Sequence, residues 1–401
     1  MMHKLRLLMA GESHGKGLTG ILEGIPAGLS LSNDDIDRDL QRRQAGYGRG
    51  GRMKIERDRA EMLAGVRWGK TIGSPLSVLI ENRDWKNWQE GMSPESRHEG
   101  SIAPITRPRP GHADLAGAIK YGQKDARNIL ERSSARETAM RVALGAITKK
   151  FLSEFRIAIR SYVIQIGSLR LETPVSGLQY DDFFLKAEAS PVRCPDEDIS
   201  RKMVLLIDEA TQKGDSLGGV FEIIATGVPV GLGSHIQWDK RLDGRLAHAI
   251  MGIQAIKGVE IGAGFEMAGR FGSETMDKIF HRPMNTGGKP LNETTGFFRK
   301  TNNAGGVEGG ITNGMPLIIR AAMKPIPTLR KPLRSVDFVT KETVEATYER
   351  SDVCALPAAS VIGEAMTALV IADAFLDKFG GDSMEEVKRN FGLYKDYVDT
   401  F

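Results

Sequence analysis

Two of the chain's seven histidines sit where a side chain is presented rather than packed. His14 lies in Gly11-Glu12-Ser13-His14-Gly15 and His112 in Gly111-His112-Ala113. An imidazole titrates near neutrality, so each could hand a proton to a leaving or developing anion. His3, His98, His235, His248 and His281 have no comparable setting. Arginines supply the complementary chemistry. Between Arg38 and Arg59, seven arginines and Lys54 face only Asp39, Glu56 and Asp58, a local balance of +5 against +4 for the whole chain. Glycines at 46, 48, 50 and 51 let backbone and guanidinium groups converge. Such convergence suits a phosphate or a polyanionic small molecule, because the guanidinium fork pairs two oxygens at once. A second basic stretch holds Arg109, His112, Arg127, Arg132, Arg136 and Arg141. Arg38, Arg57, Arg59 and Arg127 read instead as solvated helix charge. Arg350-Ser351-Asp352 stands just before an apolar helix. Asp352 there is either a cap or a base held beside an arginine.

Other chemistries find little support. No H-E-x-x-H or C-x-x-C spacing occurs and Cys194 and Cys354 are the only cysteines, so no metal site or disulfide is expected and a reduced, cytoplasmic setting is. Gly15 to Gly20 fits G-x-G-x-x-G, but the residues after it are too broken for the required helix. Gly46 to Gly51 fits too, yet follows a helix. Gly69-Lys70-Thr71 ends a loose phosphate-loop pattern whose loop, Gly65-Val66-Arg67-Trp68, is too bulky to wrap a phosphate. The start of the chain has no signal-peptide core, and no run of 18 apolar residues predicts a membrane span.

The elements that must position these groups are partly legible. Helices are expected at Ser32–Gln44, Ser134–Phe155, Glu197–Gln212, Arg245–Ile256, Leu356–Phe379 (apolar on most faces, hence buried) and Ser383–Val398. Strands are expected at Leu5–Ala10, Leu76–Glu81, Ile157–Leu171, Val220–Val228, Val259–Phe271 and Leu317–Met323. The 46 glycines are more than ordinary usage, and many recur at fixed offsets. Gly11-x-Ser-x-Gly and Gly24-x-Pro-x-Gly return 203 residues later at Gly214 and Gly227. The pattern G-x-T-x-G-x-P-L starts at Gly69 and again at Gly310, 241 residues on. We expect one domain over 1–401 made of two similar halves, about 5–200 and 201–380, with a mobile polar insertion near 272–303 in the second. His14 becomes Leu217 in that second half, and Lys70 becomes Ile311.

Several blocks taken together resemble the chorismate synthases. They are Gly11–Gly15, Arg42-Arg43-Gln44-Ala45-Gly46-Tyr47-Gly48-Arg49-Gly50-Gly51-Arg52-Met53, Arg107–Asp114 and Glu131-Arg132-Ser133-Ser134-Ala135-Arg136-Glu137-Thr138-Ala139. Gln254–Gly258, Gly305-Gly306, Gly309–Gly314 and Lys324-Pro325-Ile326-Pro327-Thr328 follow in order, so the match runs from residue 5 to about 378. The chain departs at 350–360, where many members read R-H-D and P-R-A and this one reads Arg350-Ser351-Asp352 and Pro357-Ala358-Ala359. The resemblance implies an α+β fold, a β-α-β sandwich with helices between two antiparallel sheets, assembled as a homotetramer. It implies a lyase of the shikimate pathway toward aromatic amino acids. The reaction removes phosphate from C3 and hydrogen from C6 of 5-enolpyruvylshikimate 3-phosphate in an anti-1,4 sense. Reduced FMN is required although no net oxidation occurs. By the same resemblance His14 would protonate the departing phosphate, His112 would protonate or polarise the flavin, and Asp352 would assist removal of the C6 proton. Ser13, Arg43, Arg49, Arg52, Arg109, Arg136 and Arg350 would bind substrate. Arg132, Ser133, Ser134, Gln254, Ala255, Gly309, Lys324, Pro325, Ile326, Pro327, Thr328 and Arg350 would line FMN. Arg43 and Arg49 would face NADPH in members that reduce their own flavin; other members depend on a separate flavin reductase. Two rival readings of the residues stay open at this point: a basic-loop RNA-binding module, and another phosphate-handling enzyme that binds ATP at Lys70.

Overall fold

The computed structural model describes residues 2–50, 57–172, 180–281, 296–349 and 351–401. Along the chain come β1 (Arg6–Ala10), β2 (Gly17–Glu23), α1 (Asn33–Gln44), β3 (Glu61–Ala64), the short pair β4 (Val66–Arg67) and β5 (Lys70–Thr71), and β6 (Leu76–Glu81). Helices α2 (Asp114–Tyr121), α3 (Arg127–Ser133) and α4 (Thr138–Ser153) follow, then β7 (Ala158–Ile166), β8 (Leu169–Arg170), α5 (Tyr180–Ala189), α6 (Glu197–Lys213) and β9 (Gly219–Thr226). Next are α7 (Leu242–Met251), β10 (Ile256–Ile261), the one-turn α8 (Gly272–Thr275), hairpins β11 (Ile279–His281)–β12 (Phe297–Arg299) and β13 (Val307–Glu308)–β14 (Ile311–Thr312), and β15 (Leu317–Met323). The helices α9 (Leu356–Phe379) and α10 (Met384–Thr400) end the chain.

Two antiparallel sheets, in the orders β1-β2-β6-β3 and β10-β15-β9-β7-β8, enclose a helical layer. This is the expected α+β sandwich. Alternation sets the inner face of the first sheet: Leu18 and Leu22 of β2 and Leu76, Val78 and Ile80 of β6 are buried. On that face lies α4, with Met140 and Leu144 against Gly20. Helix α9 is buried on nearly every side and separates α4 from the second sheet, where Gly363 meets Phe221 and Ile223. By length and composition α9 could cross a membrane, but 94% of its apolar window is buried inside the protein. The helices α4 and α9 cross at Gly145, where a Cβ would stand 2.4 Å from the Cβ of Ala365. Only glycine permits that approach.

Both sheets share a layout, since β7-β9-β15-β10 repeats the order β1-β2-β6-β3. Thr71 repeats as Thr312. Thr71 Oγ1 donates to Pro26 O and accepts from Leu29 N, while Thr71 O accepts from Gly28 N. Thr312 makes the same three bonds, with Pro229 O, Leu232 N and Gly231 N. Gly65 and Gly306 both have positive φ, and a Cβ on either would strike the carbonyl oxygen of a proline, Pro75 or Pro316.

Charge is buried at two structural joints. Glu364 of α9 accepts from Arg42 (2.7 and 2.8 Å), Lys149 (2.7 Å) and Ser161 (2.7 Å). Burial pushes its carboxyl up, but Arg42, Lys149 and Arg193 outweigh burial and hold it well below the usual range. Asp373, also on α9, accepts the N–H groups of His3, Lys4 and Leu5 (2.7–2.9 Å) and pairs with Arg245 of α7.

Some expected boundaries move. The helix expected from Ser134 starts at Thr138, because Ser134 is extended (ψ 141°) and its hydroxyl accepts from Arg136 N. The strand expected through Phe271 stops at Ile261, where Gly262 turns with φ +61°. Gly167, at φ +54°, splits the long strand at 157–171 into β7 and β8. Helix α7 ends at Met251, five residues short of Ile256, and starts three residues early. Strands β2 and β3 and helices α2, α3 and α5 were not anticipated. In the polar insertion, Asp277 accepts from Thr301 Oγ1 (2.6 Å) and from Asn303 N and Ala304 N (2.9 Å each), which anchors its base. Residues 282–295 lie outside the described residues, so the expected mobility falls partly on them.

Candidate active site

His14 projects from the β1–β2 turn toward the end of α3. Its Nδ1 lies 2.8 Å from Glu131 Oε1, its own N–H donates to Glu131 Oε2 (2.7 Å), and Ser13 N donates to Glu131 O (2.9 Å). The Trp88 ring lies against the imidazole, 4.2 Å between centroids and tilted by 33°. Ser134 Oγ, at the extended break before α4, donates to Ser13 Oγ (3.2 Å).

The break at Ser134 leads directly into the arginine cluster. Arg136 is buried, with its Nη1 on both oxygens of Asp58 (2.6 and 2.7 Å) and its Nε on Asn82 Oδ1 (2.9 Å). Arg43, in the last turn of α1, donates to Thr138 Oγ1 and Ala135 O and reaches Asp58 only at 3.6 Å. Its Nη1 has no hydrogen-bond partner among the described residues. Burial lowers the Arg43 pKa to about 10; Asp58 opposes this, and Arg49 and Arg136 add to it. Arg49 Nη1 meets Asp352 Oδ2 at 2.9 Å, and Gly50 N donates to Asp352 Oδ1 at 2.6 Å. Gly48 O accepts from Val353 N (2.8 Å), which ties the arginine loop to the segment carrying Asp352. Asp352 in turn lines a cleft with Thr328, Arg330 and Tyr348.

From Thr328 a hydrogen bond leads to Arg109 and so to the His112 corner. Arg109 donates from Nη1 to Thr328 Oγ1 (3.0 Å) and from Nε and Nη2 to Asp114 (2.8 and 3.0 Å). His112 Nδ1 lies 2.5 Å from Asp114 Oδ1. Burial works against the Asp114 charge, but the hydrogen bonds from His112 and Arg109 outweigh it and hold the carboxyl below its usual range. Lys324 joins this corner by donating from Nζ to Gly111 O and from its backbone N to Ala255 O (2.9 Å).

The surroundings of the site match known proteins along the whole chain. The family model for chorismate synthase matches residues 5–376. The chorismate synthases of Aquifex aeolicus and Geobacter sulfurreducens are 59% and 58% identical to it, over 99% of this chain and 99% and 100% of theirs. A crystal structure of chorismate synthase superposes with a TM-score of 0.79 at 49% identity and full coverage of both chains. The chain belongs to the chorismate synthase family. Its reaction is that of a carbon–oxygen lyase, the elimination of phosphate from 5-enolpyruvylshikimate 3-phosphate to give chorismate, and the family requires reduced FMN.

Residues that the resemblance to chorismate synthase singled out divide into groups. Ser13, His14, Arg43, Arg49, Arg136, Ser134 and Asp352 form one connected set. Arg109, His112, Gln254, Ala255, Lys324 and Thr328 adjoin it, with Pro325, Ile326 and Pro327 in the same segment; Ile326 O accepts from Ser216 Oγ (2.6 Å). Arg132 donates to Met9 O and Gly11 O (2.9 Å each) and Ser133 to Ile129 O (2.9 Å), so both brace backbone around the His14 turn. Gly309 sits in the β13–β14 turn, at the end of β15 opposite Lys324, so the chain does not bring it to the cluster. Arg52 and Arg350 lie outside the described residues.

The structure revises other readings. Arg127 is not solvated. Its side chain is 12% exposed, its guanidinium covers Trp88 at 4.9 Å, and its Nε lacks a hydrogen-bond partner among the described residues. Arg38, Arg57 and Arg59 are exposed, as expected, though only Arg38 stands on a helix. The RNA-binding reading loses its basis because Arg43, Arg109 and Arg136 are buried. The ATP reading at Lys70 fails because the neighbouring Thr71 hydroxyl is spent on backbone. The first G-x-G-x-x-G runs into a strand, not a helix. Sequence reasoning missed Asp58, Trp88, Asp114 and Glu131 as partners of the predicted groups. For Asp114 the H-x-D spacing was an available signal; the others come together only in three dimensions. Flavin fits this donor set. Gln254 Nε2 is held by Glu137 Oε1 (2.5 Å) while its buried Oε1 has no partner among the described residues, leaving an acceptor for a ring N–H.

Proposed function

We propose that the connected cluster from His14 to Asp352 binds the phosphate and carboxylates of 5-enolpyruvylshikimate 3-phosphate, and that His14, His112 and Asp352 handle its protons. The observation that carries this reading is the setting of Arg43. It is buried, Arg49 and Arg136 push its pKa down further, and its Nη1 has no hydrogen-bond partner among the described residues. A guanidinium that is buried and repelled by its neighbours is relieved when an anion arrives. His14 donates to the departing phosphate. Asp352 takes part in removal of the C6 proton, and Arg49 and Gly50 N hold its carboxylate in one orientation. His112, kept in place by Asp114, serves the flavin side. Gln254, Ala255 and Lys324 to Thr328 would hold FMN, together with Ser134 and Arg350; Arg132 and Ser133 would act by bracing the backbone beside it, and Gly309 is left out of this set. When bound, reduced FMN supplies the electron density that eases phosphate loss. Arg52 and Arg350 extend the anion site in this proposal.

The test is anaerobic. Protein, reduced FMN and the enolpyruvyl substrate should give chorismate absorbance, and His14→Ala and His112→Ala should each lower turnover at least about tenfold. A variant that keeps the wild-type rate removes that residue's role. Arg43 and Arg49 would face NADPH; FMN-dependent NADPH oxidation, lost in Arg49→Ala, checks this, and its absence in wild type assigns reduction to a separate reductase. The cross-strand neighbours Leu8 and Ile21 stay exposed on the outer face of the first sheet, which supports a homotetramer testable by ultracentrifugation. Two buried free cysteines support a reducing, cytoplasmic setting.

A further inference from the structure

We propose that Glu131 is a positioning residue that fixes the ring state of His14; this rests on the reading of His14 as the proton donor. Glu131 grips the histidine at separate points. One carboxylate oxygen meets the ring at Nδ1 (2.8 Å) and the other takes the backbone N–H of the same residue (2.7 Å). Its main-chain oxygen takes the N–H of Ser13 (2.9 Å). An anchor for the turn alone would need only the backbone contacts. The additional contact to Nδ1 acts on the imidazole itself.

An ionised carboxylate can only accept, so the hydrogen in this contact sits on Nδ1. The neutral ring is therefore the Nδ1–H form, and Nε2 is the nitrogen whose proton comes and goes. Proton delivery then balances simply. The Nε2–H bond breaks, an O–H bond forms on the phosphate, and the electron pair stays on Nε2. The ring is left in the tautomer that Glu131 already holds, ready to be reprotonated at the same nitrogen. The Glu131 side chain is 2% exposed, so water competes little for its oxygens. Trp88 lies against the ring, tilted by 33°, and so restricts its rotation. Arg127 covers Trp88 and stands 3.6 Å from the Glu131 oxygen that binds Nδ1, placing a cation behind the carboxylate. This pairing follows the general logic of a carboxylate that orients a catalytic imidazole and supports its charge.

The test uses Glu131→Gln, which keeps the shape but lets an amide N–H face Nδ1, and Glu131→Asp, which keeps the charge. Both are checked for wild-type melting. Two readouts are taken: steady-state turnover with reduced FMN under anaerobic conditions, and the 15N spectrum of histidine-labelled protein without flavin, in which the His14 signals are those lost in His14→Ala. For Glu131→Gln the expected result is a kcat at least about tenfold lower, a KM for the enolpyruvyl substrate within about twofold, and His14 no longer held as Nδ1–H. Glu131→Asp should recover part of the lost kcat. A Glu131→Gln variant whose His14 keeps the wild-type tautomer overturns the proposal, whatever its kcat. If His14→Ala turns over like wild type, the donor reading itself falls, while the 15N spectrum still decides the Glu131 contact.

Discussion

Asp114 carries more of the His112 corner than its place in the chain suggests. It is enclosed, yet His112 and Arg109 keep it charged. Its folded pKa lies below that of the unfolded chain, so its stabilisation is complete above the ordinary aspartate value, about 3.9, and is lost as pH falls through the lower folded value. Asp114→Asn should therefore be less stable than wild type at pH 7, and the gap should narrow as pH drops below about 4; urea midpoints at pH 7 and pH 3 check this. At this scale the sequence was informative about cations and silent about their partners. His14, His112 and the arginines announced themselves through small-residue loops and local charge. Asp58 serves Arg136 from 78 residues away and Glu131 serves His14 from 117 residues away, and no spacing rule reaches so far.

The elements hold the site through close packing and one enclosed charge network. At Gly145 the contact with Ala365 leaves no room for a methyl group. Alanine favours helix over glycine by about 1 kcal/mol, but overpacking costs about 1–3 kcal/mol. Since the clash is with backbone as well as side chain, Gly145→Ala should lower stability, and thermal melting reads the sign. Glu364→Gln would leave Arg42, Lys149 and Arg193 with one carboxylate fewer in a buried setting, and we expect a loss of about 3 kcal/mol by chemical denaturation. Helix ends were legible where a side chain closes them: Ser32 and Ser383 form the capping boxes that start α1 and α10. Strand β2 was not legible. Its glycines look like breakers, yet Gly20 is there because Met140 packs directly on it.

For the whole molecule we propose that the two sheets descend from one unit used twice. The support is the pair of threonine brackets, the glycine turns at matching offsets and the common strand order. The copies have since divided their work. The first presents His14 beside Glu131; in the second the corresponding Leu217 has no titratable side chain, and its backbone N–H donates to Val353 O next to Asp352 (2.9 Å). If the brackets are equivalent, Thr71→Val and Thr312→Val should cost similar amounts, about 1–3 kcal/mol each, since each strands a buried carbonyl and N–H. A large difference in their unfolding free energies would count against the duplication.

The clasp between Asp373 and residues 3–5 spans 368 to 370 positions of the chain. During synthesis the first strand leaves the ribosome long before the carboxylate that anchors it exists. At about 5–20 residues per second the delay is roughly 20 to 70 seconds. Through that interval α4, which covers the first sheet, also lacks α9, the helix packed between it and the second sheet, so the far side of α4 has no permanent cover. A nascent chain halted before Leu356 should therefore be a client of chaperones and sensitive to proteases. We expect emergence of the last two helices, rather than completion of the first sheet, to commit the chain to its fold.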